Sequence, residues 1–236
     1  MIKKLIRCGG KTILWFFVIS LIWVLIYKWA PVPMTPLMLI RSIEQKNEGK
    51  ASIRKHEWKS INEISKNLQI AVICTEDQHF LEHNGFDFDA IEKALKNNKL
   101  SKRIKGGSTI SQQTAKNVFL WPQRTYIRKG FEAYFTFLIE LLWTKERIME
   151  VYLNSVEMGN GIYGAEAASQ FWFKRSAAKL NLDQASALAA ILPNPRKYKA
   201  TPATTFIKSR KIWTQRQIQL FGPLYYDKPK SKEKID

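Results

Sequence analysis

Residues 76–87 read Glu76-Asp77-Gln78-His79-Phe80-Leu81-Glu82-His83-Asn84-Gly85-Phe86-Asp87, with acids, histidines and a glycine where a core helix would be mostly apolar. Taken with the apolar run before it, this stretch predicts a helix over 64–82 that ends in a turn. On helical spacing Glu76, Phe80 and His83 share one face, so a carboxylate projects beside an aromatic ring and an imidazole. Gly85 can take the positive φ that closes such a helix, and Asp89-Ala90-Ile91-Glu92 has the form of an acidic capping box opening the next one. A carboxyl held among apolar neighbours has its pKa raised toward neutrality, which suits a general base or acid. An acidic, solvated helix end fits the same residues. The two histidines stand four apart, but the pattern His-Glu-x-x-His is absent and no third ligand stands out. Packing and hydrogen bonding are therefore expected of His79 and His83.

A second cluster follows the basic run Lys102-Arg103-Ile104-Lys105. It reads Gly106-Gly107-Ser108-Thr109-Ile110-Ser111-Gln112-Gln113-Thr114-Ala115-Lys116-Asn117. Thr109-Ile110-Ser111-Gln112 is a capping box, so the glycine pair leads into a helix N-terminus whose backbone N–H groups and dipole suit a phosphate or sugar oxygen. Capping alone needs no ligand. Gln112, Gln113, Lys116 and Asn117 supply amides and a cation beyond what a cap requires, which favours substrate contact.

The two clusters, in this order, resemble the family 51 glycosyltransferases that polymerise peptidoglycan. The pattern Glu-Asp-x-x-Phe-x-x-His-x-Gly-x-Asp is met from Glu76 to Asp87, and Gly-x-Ser-Thr-Ile-x-Gln-Gln-x-x-Lys-Asn from Gly106 to Asn117. The likeness continues through Arg128-Lys129-x-x-Glu132, Glu150-x-Tyr152-Leu153-Asn154, Gly159-x-Gly161-Ile162-Tyr163-Gly164 and Leu192-Pro193-Asn194-Pro195, covering residues 64–198. It implies a lysozyme-like helical lobe joined to a smaller, membrane-facing lobe, with a long cleft between them. It implies polymerisation of lipid II into linear β-1,4 glycan strands with release of polyprenyl diphosphate, by a transfer that inverts the anomeric centre. Such a displacement needs a base for the acceptor proton and cations for the departing diphosphate. By the same resemblance Glu76 is the base and Glu132 the second glutamate of the catalytic cleft, balancing the diphosphate and a divalent cation, Mg2+ or Mn2+. The metal ligands themselves are not readable. Lys116 and Arg124 match positions that hold the diphosphate. Asp77, Ser108, Thr109, Gln112, Gln113, Asn117, Arg128 and Lys129 complete the expected substrate contacts, with a structural, hydrogen-bonding role slightly favoured for Asp77. Three positions depart from the pattern. Lys174 follows the aromatic Phe173 where a small residue is usual, Gln184 stands where glutamate is common, and Phe131 replaces a lysine that some relatives carry.

The N-terminal run 13–27 contains no charge. Extended by Trp29-Ala30 and with Lys28 able to snorkel, it suits a membrane anchor over 12–30. The following segment is bulky and proline-rich, unlike a cleavage site. Lys3, Lys4, Arg7 and Lys11 precede the span. The positive-inside rule therefore keeps residues 1–11 in the cytoplasm and the rest on the periplasmic side of a bacterial inner membrane. Cys8 and Cys74 then lie on opposite sides and are not expected to pair.

A net charge of +18 on 236 residues would by default suggest nucleic acid. On the exported side, anionic lipid headgroups and a diphosphate-bearing substrate account for it instead, and no nucleic acid is expected. Other cell-wall synthases or division proteins are conceivable partners. Residues 31–51 read as a linker, 52–225 as the glycosyltransferase domain and 226–236 as a charged tail. Helical periodicity further predicts helices over 89–97, 109–118, 126–143, 145–153, 165–173 and 183–192, giving a mainly α fold. In the helix over 126–143 a polar stripe of Glu132, Thr136 and Glu140 runs along an otherwise greasy surface. Aromatics interleaved with Arg124 and Arg128 suit a surface among lipid headgroups, although core packing fits them too. Three rival functions remain. A lytic enzyme could use one glutamate as an acid, a transpeptidase could use Ser52-x-x-Lys55 or Ser176-x-x-Lys179, and a non-catalytic scaffold would keep the same helices. The transpeptidase lacks Ser-x-Asn and Lys-Thr-Gly partners.

Overall fold

The computed structural model describes residues 2–49, 51–92 and 107–226, with side chains from residue 10 onward. Helix α1 (Ile2–Trp29) carries the apolar run. Its segment Gly10–Trp29 is 20 residues long with mean hydropathy 1.9, enough to cross a membrane once. Ile13, Leu14, Trp15, Ile19, Ile22 and Ile26 are all more than half exposed on it, as lipid-facing side chains would be.

The segment read as a linker holds a second helix, α2 (Pro36–Asn47), begun by Thr35, whose hydroxyl accepts the N–H of Met38, and by proline in the first turn. The polar stretch from Glu44 hid it, because the periodicity of Met38, Arg41 and Gln45 is not apolar, although Met38 and Gln45 are buried.

Helix α3 (Lys66–Glu76) is the central element. Leu68, Ala71, Val72 and Ile73 are fully buried on it. It packs against α8 (Leu182–Ile191), whose Ala185, Leu188 and Ala189 allow close approach, and against α9 (Thr205–Phe221). Helix α4 (Ile110–Phe119) lies between α5 (Tyr126–Leu142) and α6 (Lys145–Ser155), and α7 (Ala165–Phe173) follows a small sheet. That sheet has the order β1 (Lys55–His56), β3 (Ile162–Tyr163), β2 (Glu157–Gly159), with β1 and β3 parallel and β2 and β3 antiparallel. Gly161 turns β2 into β3 at φ +73, where an added Cβ would lie 2.2 Å from the carbonyl oxygen of Ile53.

Each departure from the family pattern has its own place in the fold. Lys174 takes the left-handed conformation (φ 54) at the end of α7, the conformation that favours a small residue there. Gln184 completes a capping box with Asn181 as a glutamate would. Phe131 turns toward the anchor, its ring 5.6 Å from that of Phe16.

The anchor is docked on the body of the protein. Ser20 Oγ and the Tyr134 hydroxyl are 2.6 Å apart, and Trp143 Nε1–H donates to the Val24 carbonyl at 3.0 Å. Arg147 donates to the carbonyls of Tyr27 and Ala30 at the end of α1. Trp23 meets Phe119 edge-on, and Phe119 stacks on Phe135 with centroids 4.6 Å apart.

Candidate functional site

Helix α3 stops at Glu76 rather than running to Glu82, so Glu76, Phe80 and His83 do not share a helical face. Asp77 breaks the helix with φ −163 and ψ 80, and a series of turns follows. The cause is the Asp77 carboxylate, which is engaged away from α3. It accepts the Ile110 N–H at 2.9 Å and bonds the His83 ring at 2.9 Å. His83 Nδ1 accepts the Gly85 N–H, so Nε2 carries the proton donated to Asp77. Gly85 has the expected positive φ of +89, and a Cβ there would meet Thr136 and Glu140 at under 3 Å. The next helix starts earlier than predicted, because Asp87 Oδ1, not Asp89, caps it by accepting the Ala90 N–H. Its predicted extension to 97, the basic run 102–105 and Gly106 lie outside the described residues.

The N-terminus of α4 is capped as its sequence predicts. Thr109 Oγ accepts the Gln112 N–H, Gln112 Oε1 accepts the Thr109 N–H, and the Thr109 hydroxyl donates to the Gly85 carbonyl. Two of the donors at this terminus are already engaged within the protein, the Ile110 N–H by Asp77 and the Gln112 N–H by Thr109. Asp77, Thr109 and Gln112 thus join two loops while also bordering the cavities of the site, Asp77 and Thr109 one of them and Gln112 the other.

Gln113 is the link between the two motifs. Its Nε2–H donates to Glu76 Oε2 at 3.0 Å, while its Oε1 accepts the hydroxyl of the fully buried Tyr152 at 3.3 Å. Burial pushes the Glu76 carboxyl above its usual range, against the opposing pull of the Gln113 bond and of the charges of Arg210 and Lys116; Asp77 adds the smallest push upward.

Glu76 stands in a hollow of about 370 Å³ with Asp87, Ser108 and Trp213. Ser108 also borders a larger cleft of about 630 Å³, lined by Gln113, Lys116, Asn117, Arg124, Arg128, Lys129 and Glu132. Glu132 is 3% exposed and accepts from Arg128 at 2.6 Å and from Lys129. Burial lowers the Lys116 pKa, with Arg128, Lys129 and Arg124 adding to the fall and Glu132 opposing it. The polar stripe on α5 faces inward: Thr136 is fully buried, and Glu140 accepts from Lys145 and Ser111. Tyr126, Ile127, Phe137 and Leu141 lie exposed elsewhere on the same helix.

Several cleft residues escaped the sequence reading. Arg41, on α2, and Glu157 line the larger cleft, and burial raises the Glu157 pKa. Arg210 and Trp213 come from α9, whose signal was available in the Thr204 cap and in Ile207, Thr214 and Ile218 at helical spacing. Ser176 caps a short turn and donates to Glu166, a structural use of the Ser-x-x-Lys sequence. Among the described residues no three of His, Cys, Asp and Glu converge as metal ligands. Both Glu132 oxygens are taken by cations, Oε2 by Arg128 and Oε1 by Lys129.

The transglycosylase family pattern matches residues 43–219. A biosynthetic peptidoglycan transglycosylase of Bacteroides thetaiotaomicron is 52% identical over 219 residues, covering 93% of this chain and 88% of the relative. One from Bdellovibrio bacteriovorus is 58% identical over 202 residues, covering 85% and 80%. One from Pseudomonas putida is 44% identical over the full length of both chains. The chain belongs to the transglycosylase family. It is a glycosyl-transferring enzyme with one N-terminal helix that fits a single-pass membrane anchor.

Proposed function

We propose that this enzyme polymerises lipid II into linear β-1,4 glycan strands of peptidoglycan at the outer face of a bacterial cytoplasmic membrane, with Glu76 as general base. Its likeness to biosynthetic peptidoglycan transglycosylases supports peptidoglycan synthesis. The observation that carries the mechanism is the division of the site. Glu76 stands in one hollow, the cations around Glu132 line the adjoining cleft, and Gln113, which lines that cleft, donates to Glu76.

Glu76 takes the proton of the acceptor 4-hydroxyl. The freed oxygen attacks the anomeric carbon of the donor from the face opposite the diphosphate, and the bond from that carbon to the diphosphate oxygen breaks. Lys116, Arg124, Arg128 and Lys129 stabilise the negative charge that leaves as polyprenyl diphosphate. Glu132 holds Arg128 and Lys129 in place and keeps this cluster from repelling itself apart. Of the cleft residues Glu132 would hold Mg2+ or Mn2+, in exchange for its contact with Lys129, and the ion would supply further positive charge opposite the leaving group.

The test incubates detergent-solubilised full-length protein with purified lipid II and a divalent ion, and separates products on a gel beside Glu76→Gln. A ladder of glycan polymers from the wild type and none from the variant is expected. Shortening of added glycan strands without polymer formation would establish the hydrolase instead.

A further inference from the structure

Helix α9 brings an unusual stripe to the site. Arg210, Trp213, Thr214 and Gln217 follow the spacing i, i+3, i+4, i+7, which on a packed helix normally carries apolar side chains. Ile207 and Thr214 are fully buried and seat the helix. Gln217 Oε1 accepts from Gln78 Nε2, two residues beyond Glu76. The Arg210 Nε is buried without a hydrogen-bond partner among the described residues.

Trp213 is 44% exposed and lines the Glu76 hollow. Among the described residues its indole makes no hydrogen bond, ring stack or cation–π contact. In contrast, Trp58 lies under Arg147, Trp121 meets Phe131, and Trp143 and Trp172 donate to backbone carbonyls. The hollow pairs this open ring with Asp87, Ser108, Thr109 and His79 around it. That is the chemistry a pyranose needs, because a sugar ring has an apolar C–H face and a rim of hydroxyls.

Building on the proposed function, we propose that Trp213 is a sugar platform, its indole stacking on a pyranose ring of the acceptor so that the ring's hydroxyl meets Glu76. Loss of an aromatic contact of this kind weakens binding about tenfold. The Trp213→Ala enzyme raises KM for lipid II by that factor with kcat within about twofold, and Trp213→Phe restores most of the loss.

A binding measurement separates this inference from the enzymatic reading. The tryptophan fluorescence of the full-length protein in detergent is titrated with a soluble β-1,4-linked N-acetylglucosamine tetramer. The wild type and Glu76→Gln show a saturable change, and Trp213→Phe does not. An equal change in Trp213→Phe, or an unaltered KM in Trp213→Ala of wild-type thermal stability, overturns the platform. If the wild type makes no polymer yet Trp213 reports the tetramer, the polymerase reading fails and the sugar site stands.

Discussion

The Asp77 carboxylate accepts both the Ile110 N–H and the Nε2–H of His83 at 2.9 Å, so one side chain joins the end of α3 to the start of α4. Asp77 is 7% exposed. The pair fixes the distance between the base-bearing and amide-bearing motifs without touching the larger cleft. Asp77→Ala leaves the buried Ile110 N–H and the imidazole without their acceptor, and is expected to cost about 3 kcal/mol of stability. A thermal melt of the detergent-solubilised variant that matches the wild type would refute this linkage.

Burial sets the direction of the Glu76 shift, and the Gln113 hydrogen bond opposes it. The unfolded glutamate has its ordinary pKa, and burial raises it in the folded protein, so the active carboxylate form is lost as pH falls through this raised value. Gln113→Leu removes the donor that favours the charged form. The acid limb of kcat/KM is expected to move to higher pH, and an unmoved limb would show that the Gln113 bond does not govern it. Because the neutral form is favoured in the fold, Glu76 contributes most to stability below the ordinary glutamate pKa and loses that contribution as pH rises through the raised one.

Lys116 is expected to supply the alkaline limb. Burial lowers its pKa, so its charge is lost as pH rises through a value below that of a solvated lysine. Lys116→Arg keeps the charge and is expected to extend activity to higher pH. Lys116→Met is expected to lower kcat/KM about 100-fold or more, the usual loss of a group that stabilises developing charge. An unchanged alkaline limb in Lys116→Arg would assign it to another group.

Glu132 is tested by Glu132→Gln, which leaves Arg128, 8% exposed, without its anionic partner. Removing one partner of a buried pair costs about 3 kcal/mol. The melting temperature and kcat should fall together, with KM for lipid II less affected. A lowered kcat with an unshifted melt would instead make Glu132 a group that acts only on the substrate.

The elements that carry the site were legible where side-chain pattern and backbone geometry agree. The capping box at Thr109 and Gln112 and the span of α5 follow from residues three or four apart, and the positive φ of Gly85 from the glycine itself. The end of α3 was not legible, because Asp77 is drawn out of the helix by an N–H 33 residues away. Helices α2 and α9 were obscured by polar residues on faces that the fold turns inward: Gln45 is held by Ile53 and Asn160, and Arg210 and Gln217 turn toward the site. Local periodicity reads apolar burial well and polar burial poorly, since a buried polar group declares itself only through its distant partner.

The contacts along α1 give the enzyme a fixed posture. Trp143 and Arg147 grip the helix at Val24, Tyr27 and Ala30, and Tyr134 meets it a full turn earlier, at Ser20. A body clamped to its stalk at successive turns cannot swing as on a leash. With α1 set across a bilayer, the depth and heading of that helix would be passed on to the cleft, which could then turn only as the whole molecule turns.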